Sequence, residues 1–252
     1  AGELLQRPSV MRDIDSPAWA SLKPVLAALR SQVVVDEATD FSMLQLACME
    51  SLTTLKGHSF FACGDFNQRI THIGVRNIEQ IAWVSPRIRA KSINLVYRQS
   101  HVLNTFSGAL LRLLDGDMSA LGELPKESIH EGVKPVLLEQ ASEDEAASWI
   151  AQRIAEVEKM VKQMPTIAVL VNAEEDVKPM ADRLTSYLEE VNLKAVACEE
   201  GKALGENADV RVFDIQHIKG LEFEAVFFVG VDQLATLHPA LFDKYLYVGT
   251  TR

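Results

Sequence analysis

Short runs of β-branched and aromatic residues alternate along this chain with longer stretches whose apolar positions recur every three or four residues. The runs at 33–35, 60–63, 136–138, 167–171, 195–197, 210–213 and 226–229 are apolar, with Arg211 the one charged residue among them. That pattern predicts strands covered on both faces of a parallel sheet, rather than strands with one wet face. Between them lie helical signals. Ser16 and Pro17 mark a start, and Trp19, Leu22, Leu26 and Leu29 form a stripe bent at Pro24. Ser42 opens a helix with Leu44, Cys48, Leu52 and Leu55 on one side and Gly57 as its stop. Ser142 with Glu145 makes a capping-box pattern, followed by Ile150, Ile154, Val157 and Val161 up to Pro165. Val177, Ala181, Leu184 and Leu188 repeat the spacing. Strands alternating with helices predict an α/β fold with parallel sheets. The best seam falls within 92–100, dividing the chain into 1–95 and 96–252.

Composition narrows the class. With 252 residues, 48% of them hydrophobic, the chain can bury one large core or two small ones. No apolar run approaches the roughly 20 residues that span a bilayer, and the first residues lack a basic segment followed by an apolar one, so a soluble protein without a membrane partner is expected. Cys48, Cys63 and Cys198 are widely spaced in apolar contexts. They read as small buried hydrophobes rather than a disulfide framework or zinc site, and favour a cytoplasmic location. The net charge of −10 argues against indiscriminate nucleic-acid binding but is compatible with a narrow basic track on an acidic protein.

Candidate chemistry sits at strand ends. "VVVDEATD" at 33–40 delivers Asp36 and Glu37 at the carboxyl end of an apolar strand, where parallel sheets bind ligands. The pair could hold a metal and activate a water, or simply end a strand and cap the next helix. Further along come "FFACGDFNQRI", "NLVYRQS", "IKGLEFEAVFFVG" and "YLYVGTTR", in that order. With DEATD, these resemble motifs II to VI of the UvrD/Rep-like superfamily 1 DNA helicases, whose usual forms are DExxD, GDxxQ, a tyrosine-arginine motif, KGLEF and YVxxTR. The resemblance runs from Val33 to Arg252.

The resemblance implies RecA-like, P-loop NTPase-type sheets: the carboxyl-terminal part of a first motor domain over 1–95, then a second motor domain over 96–252, truncated at motif VI. It implies an ATP-dependent DNA helicase or translocase, moving 3′ to 5′ on single-stranded DNA and also meeting partial duplexes, with ATP and Mg2+ bound between the two domains. By resemblance Asp36 binds magnesium, Glu37 orients or deprotonates the attacking water, and Gln68 contacts the γ-phosphate. Arg98 and Arg252 match the phosphate-contacting arginines, a role suited to a planar fork of five donors. Tyr97 matches the residue that stacks on adenine and Glu222 the acid that bonds the ribose; Lys219 and Gly220 shape the same loop. Outside the motif context, Tyr97 would be a core tyrosine, and Gln68, Lys219 and Glu222 solvated loop residues.

The chain also departs from the pattern. Thr39 stands where Gln is frequent, and Thr71 and Ile73 stand where relatives place aromatic residues that stack on DNA bases. His72 could stack there or face solvent. Gln216 holds the family's His position, displaced by one from His217. His72, Gln216, His217 and Lys219 are thus the candidate DNA contacts. None of the 13 glycines begins a G-x-x-x-x-G-K-[ST] run. The expectation is therefore a fragment, inactive alone, whose phosphate loop lies in a missing amino-terminal part of the same protein. The alternative is a helicase-like scaffold that binds DNA or docks a protein without catalysis.

Overall fold

The computed structural model describes residues 2–5, 7–53, 59–93, 95–96, 99–118, 121–125, 132–206 and 208–251. The chain divides into two compact units, Ala1–Ser92 and Ile93–Arg252.

In the first unit, α1 (Gly2–Leu5), α2 (Pro8–Arg12) and α3 (Leu22–Ala28) precede β1 (Gln32–Val35), α4 (Met43–Glu50), β2 (Ser59–Ala62) and α5 (Ile78–Val84). β1 and β2 pair in parallel, from Gln32 opposite Ser59 to Val35 opposite Ala62. Alternation along each strand sends Val33, Val35, Phe60 and Ala62 into a core with Ala38, Leu46 and Val75. Val34 and Phe61 point the other way and are 61% and 54% exposed. The strands are apolar on both faces, as expected, but the described residues cover only one.

Two helix boundaries differ from expectation. The stripe expected to bend at Pro24 is instead broken into a 3-10 turn, Pro17–Trp19, and α3. Pro24 falls in the first turn of α3, where its missing N–H leaves no helical bond unmade. α4 starts at the expected cap, with Ser42 accepting from the Gln45 N–H and Gln45 bonding back to the Ser42 N–H. It ends at Glu50, because Thr53 bonds the Glu50 carbonyl through its hydroxyl and bridges to Arg30. Gly57, the expected stop, lies outside the described residues.

The second unit contains α6 (His101–Leu113), α7 (Glu143–Met160), β3 (Ile167–Val171), α8 (Glu174–Leu188), β4 (Ala195–Ala197), β5 (Val210–Asp214), β6 (Ala225–Phe228), α9 (Leu234–Leu237) and α10 (Phe242–Thr250). Its sheet has the order β4-β5-β3-β6, with every pairing parallel. All five residues of β3 are buried. Ile150 and Ile154 of α7 pack with Val177, Leu184 and Leu188 of α8 against Val169 and Val212. The Ser142–Glu145 capping box forms as the sequence predicts, and three acidic residues in the first turn of α7 complement its positive end.

Three expectations fail here. The 136–138 run is not a strand: Val136, Leu137 and Leu138 are unpaired in any sheet and 71%, 73% and 43% exposed. β3 already has β5 on one side and β6 on the other, so this apolar triplet has no central slot to fill. α7 stops at Met160, before Pro165. Of the cysteines only Cys198 is buried; Cys48 and Cys63 are exposed, and all three are free. Among the described residues no helix is long and apolar enough to cross a membrane.

The packing yields a contrast that can be measured. Leu184→Ala removes a fully buried side chain and is expected to cost about 2–5 kcal/mol, whereas Leu44→Ala, at a position 70% exposed, should stay within about 0.5 kcal/mol. Urea unfolding followed by far-UV circular dichroism measures both.

Candidate functional site

In the first unit the turn after β1 is built around Asp36 and Glu37. Glu37 adopts the left-handed conformation (φ 51°), and its N–H donates to Asp36 Oδ1 at 2.8 Å. The Cys63 thiol donates to the same oxygen at 3.1 Å. That hydrogen bond, followed by burial, holds the Cys63 thiol above its ordinary pKa. Parallel pairing continues past the strands: the Cys63 N–H bonds the Val35 carbonyl and the Ala38 N–H bonds the Cys63 carbonyl. The two strand ends, and the segments after them, are thereby held side by side.

The rest of DEATD binds the segment after β2. Thr39 is 1% exposed and donates its hydroxyl to the Asp65 carbonyl at 3.1 Å. Asp40 accepts the Ile70 N–H on Oδ1 at 3.0 Å, and its carbonyl accepts the Thr71 hydroxyl at 2.7 Å. Gly74 is required by close approach, since a Cβ there would lie 2.1 Å from the Thr39 carbonyl oxygen. Asp65 caps the turn Phe66–Gln68, accepting the Asn67 N–H on Oδ1 at 2.8 Å and Gln68 Nε2 on Oδ2 at 2.9 Å. Gln68 is thus oriented by a carboxylate three residues before it.

The second unit repeats this device. Asp214 ends β5, is 1% exposed, and accepts the Gln216 N–H on Oδ1 at 2.9 Å and Gln216 Nε2 on Oδ2 at 3.0 Å. Burial pushes the Asp214 carboxyl above the usual carboxylate range. His217 Nε2 lies 3.6 Å from Glu174 Oε2. Gly220 has φ +81° with open space around it, so its glycine serves the backbone turn rather than packing. Lys219 is half-buried and Glu222 exposed on the same loop. At the chain's end, a Cβ on Gly249 would lie 2.6 Å from the Phe228 ring, so α10 lies directly against β6. Gln99 Nε2 donates to the Thr251 carbonyl at 2.9 Å, joining "YRQS" to "YVGTTR" across 152 positions.

Residues 209–252 match the UvrD-like helicase C-terminal domain family. The match supports a UvrD/Rep-like helicase C-terminal region over these residues. The matched segment of this helicase region includes all of β5, Asp214, the KGLEF loop, β6 and α10. The parallel α/β architecture accords with a RecA-like helicase fold. A comparison with curated proteins finds no match.

The structure brings Asp36 and Glu37 together with the Asp65–Gln68 turn in one unit, and in the other joins Gln99, the helicase region's β5 and KGLEF loops, and α10. Tyr97, Arg98 and Arg252 lie outside the described residues. His72 and Ile73 are exposed, while the Thr71 hydroxyl is engaged with Asp40. The Gln216 amide is engaged with Asp214. The positioning roles of Thr39, Asp40, Asp65, Asp214 and Glu174 were missed from sequence. An Asp followed two or three residues later by Gln, at the end of an apolar strand, is the signal that could have found two of them.

The left-handed turn gives a test independent of activity. A non-glycine residue in this conformation carries about 1–2 kcal/mol of strain, part of which is returned as glycine's greater unfolded-state freedom. Glu37→Gly is therefore expected to be more stable than Glu37→Ala, by about 1 kcal/mol, in thermal or urea unfolding.

Proposed function

We propose that this chain is the motor portion of an ATP-dependent DNA helicase or translocase that moves 3′ to 5′ on single-stranded DNA. The match of residues 209–252 to the helicase C-terminal domain carries this reading. The arrangement in the first unit supports it: Asp36 and Glu37 leave the carboxyl end of a parallel strand beside an amide, Gln68, already oriented by Asp65. In this reading the first motor domain ends near residue 95 and the second begins near 96.

Asp36 is exposed at the end of β1 and offers carboxylate oxygens, the donor type that Mg2+ takes. Asp36 would hold the ion, which supplies charge neutralisation on the transferring phosphate. Glu37 orients the attacking water and accepts its proton. Gln68, fixed by Asp65, reads the γ-phosphate. Arg98 and Arg252 stabilise charge on the transferring group, Tyr97 stacks on adenine, and Glu222 bonds the ribose. In this reading a phosphate-binding loop is supplied from outside these 252 residues, none of whose glycines begins a G-x-x-x-x-G-K-[ST] run. With Thr71 and Ile73 at the places of stacking aromatics, DNA is held mainly through its phosphates, by a set drawn from His72, Gln216, His217 and Lys219.

The test uses a full-length protein containing the phosphate loop, assayed by single-turnover ATP hydrolysis at saturating ATP and single-stranded DNA. Arg98→Ala and Arg252→Ala should each slow hydrolysis by about 10³–10⁵, with little change in ATP affinity. Arg→Lys should restore only part of the rate, because a point charge lacks the planar fork. The 252-residue chain alone should show no DNA-stimulated turnover. A folded Arg252→Ala protein working within about threefold of wild type, far inside the arginine-finger scale, would sink the assignment.

A further inference from the structure

We propose that Glu174, Asp214 and His217 form a binding site for a first-row divalent transition-metal ion of the zinc class, on the carboxyl-terminal edge of the second sheet. β3 and β5 are parallel neighbours with Val171 opposite Asp214, so the residues that follow both strands emerge at the same edge. Glu174 opens α8 three residues after β3, Asp214 is the last residue of β5, and His217 closes the 3-10 turn that follows it. One ligand atom from each of the three lies within 4.8 Å of the others.

The state of these atoms points to a cation. Glu174 Oε2 is fully buried and makes no hydrogen bond among the described residues. It faces His217 Nε2 at 3.6 Å, too long for a hydrogen bond. Two ligands held at about 2.0–2.2 Å on one tetrahedral ion stand about 3.4 Å apart, so this separation suits a shared ion better than a direct bond. Of the remaining acceptor atoms, Asp214 Oδ2 accepts Gln216 Nε2 at 3.0 Å and keeps a second lone pair for an ion, and two others are fixed by the backbone. Glu174 Oε1 accepts the Glu200 N–H at 2.7 Å, and Asp214 Oδ1 accepts the Gln216 N–H at 2.9 Å. Both carboxylates are thereby aimed as the outer contacts of a metal site aim its ligands.

An imidazole with two carboxylates favours zinc-class ions over Mg2+ or Ca2+, which take oxygen donors. A divalent ion would offset the charge of the two carboxylates, one of them almost wholly buried. Three protein ligands leave a fourth position for water or an anionic oxygen. It would also tie the turn after β5, just before the KGLEF loop, to the first turn of α8.

The site is tested on chelator-treated protein by isothermal titration with Zn2+ and by thermal unfolding with and without the ion. Wild type should bind about one equivalent with a saturable rise in Tm. His217→Gln and Glu174→Gln, each checked for native far-UV dichroism, should weaken binding by about tenfold or more and abolish the rise. His101→Gln and Cys48→Ser, at exposed positions elsewhere, should leave binding unchanged. Absence of stoichiometric binding to wild type overturns the proposal, whatever the variants do. So does binding indifferent to both Glu174→Gln and His217→Gln. Neither result tests ATP hydrolysis, on which the helicase reading stands or falls; an ion held by His217 would take that imidazole out of the set proposed to hold DNA.

Discussion

Parallel strand pairing is the constraint on which the rest of this structure depends. It leaves every strand pointing the same way, so the segments that follow them leave one edge together. Val35 next to Ala62 brings Asp36 and Glu37 beside Asp65 and Gln68; Val171 next to Asp214 brings Glu174 beside His217. These residues are 28 to 43 positions apart in sequence. No local signal could place them together, and no other sheet arrangement of the same strands would. Hydrophobic burial of β3 and its neighbours supplies the stability, and the polar groups are carried to the edge as a consequence.

At that edge, a shared local chemistry fixes the turns. A strand-end aspartate accepts a backbone N–H two residues on with one oxygen and a glutamine amide with the other, at Asp65 with Asn67 and Gln68 and again at Asp214 with Gln216. An ionised carboxylate can do this because it is acceptor-only and offers several lone pairs. Neutral substitutes such as Asn would have to present an oxygen at both positions and could not. The glutamine nearest each aspartate is thus set by its own turn.

The fold was legible where hydrophobic periodicity and caps agreed. Six of the seven apolar runs are strands, and Ser42 and Ser142 each cap their helix with the residue three positions on. The triplet at 136–138 failed because an apolar run specifies a strand only if a partner has room for it, and sheet order is not written in local sequence. The cysteines misled for a related reason. Apolar neighbours indicate a buried element, not which residue of it faces inward, and Cys63 falls one step beyond the end of β2. At the candidate site, motif spacing pointed to the residues with the chemistry. It concealed the ones that hold them: Thr39 and Asp40 read as a substitution and a motif terminus, yet their contacts fasten the turn after β1 to the segment after β2.

The opposite face of the first sheet bears on how that unit works. A two-stranded sheet seldom stands alone, and parallel sheets are normally covered on both faces. β1 and β2 are apolar on both, but Val34 and Phe61 remain open to solvent. Covering what remains exposed of these two side chains would contribute about 1–1.5 kcal/mol each, roughly half the gain of full burial. The same strands lead into Asp36, Glu37, Asp65 and Gln68, so the uncovered face and the candidate nucleotide residues belong to one small element. Whatever covers Val34 and Phe61 therefore stabilises the strands from which these residues project, and links the stability of the sheet to the geometry of its edge.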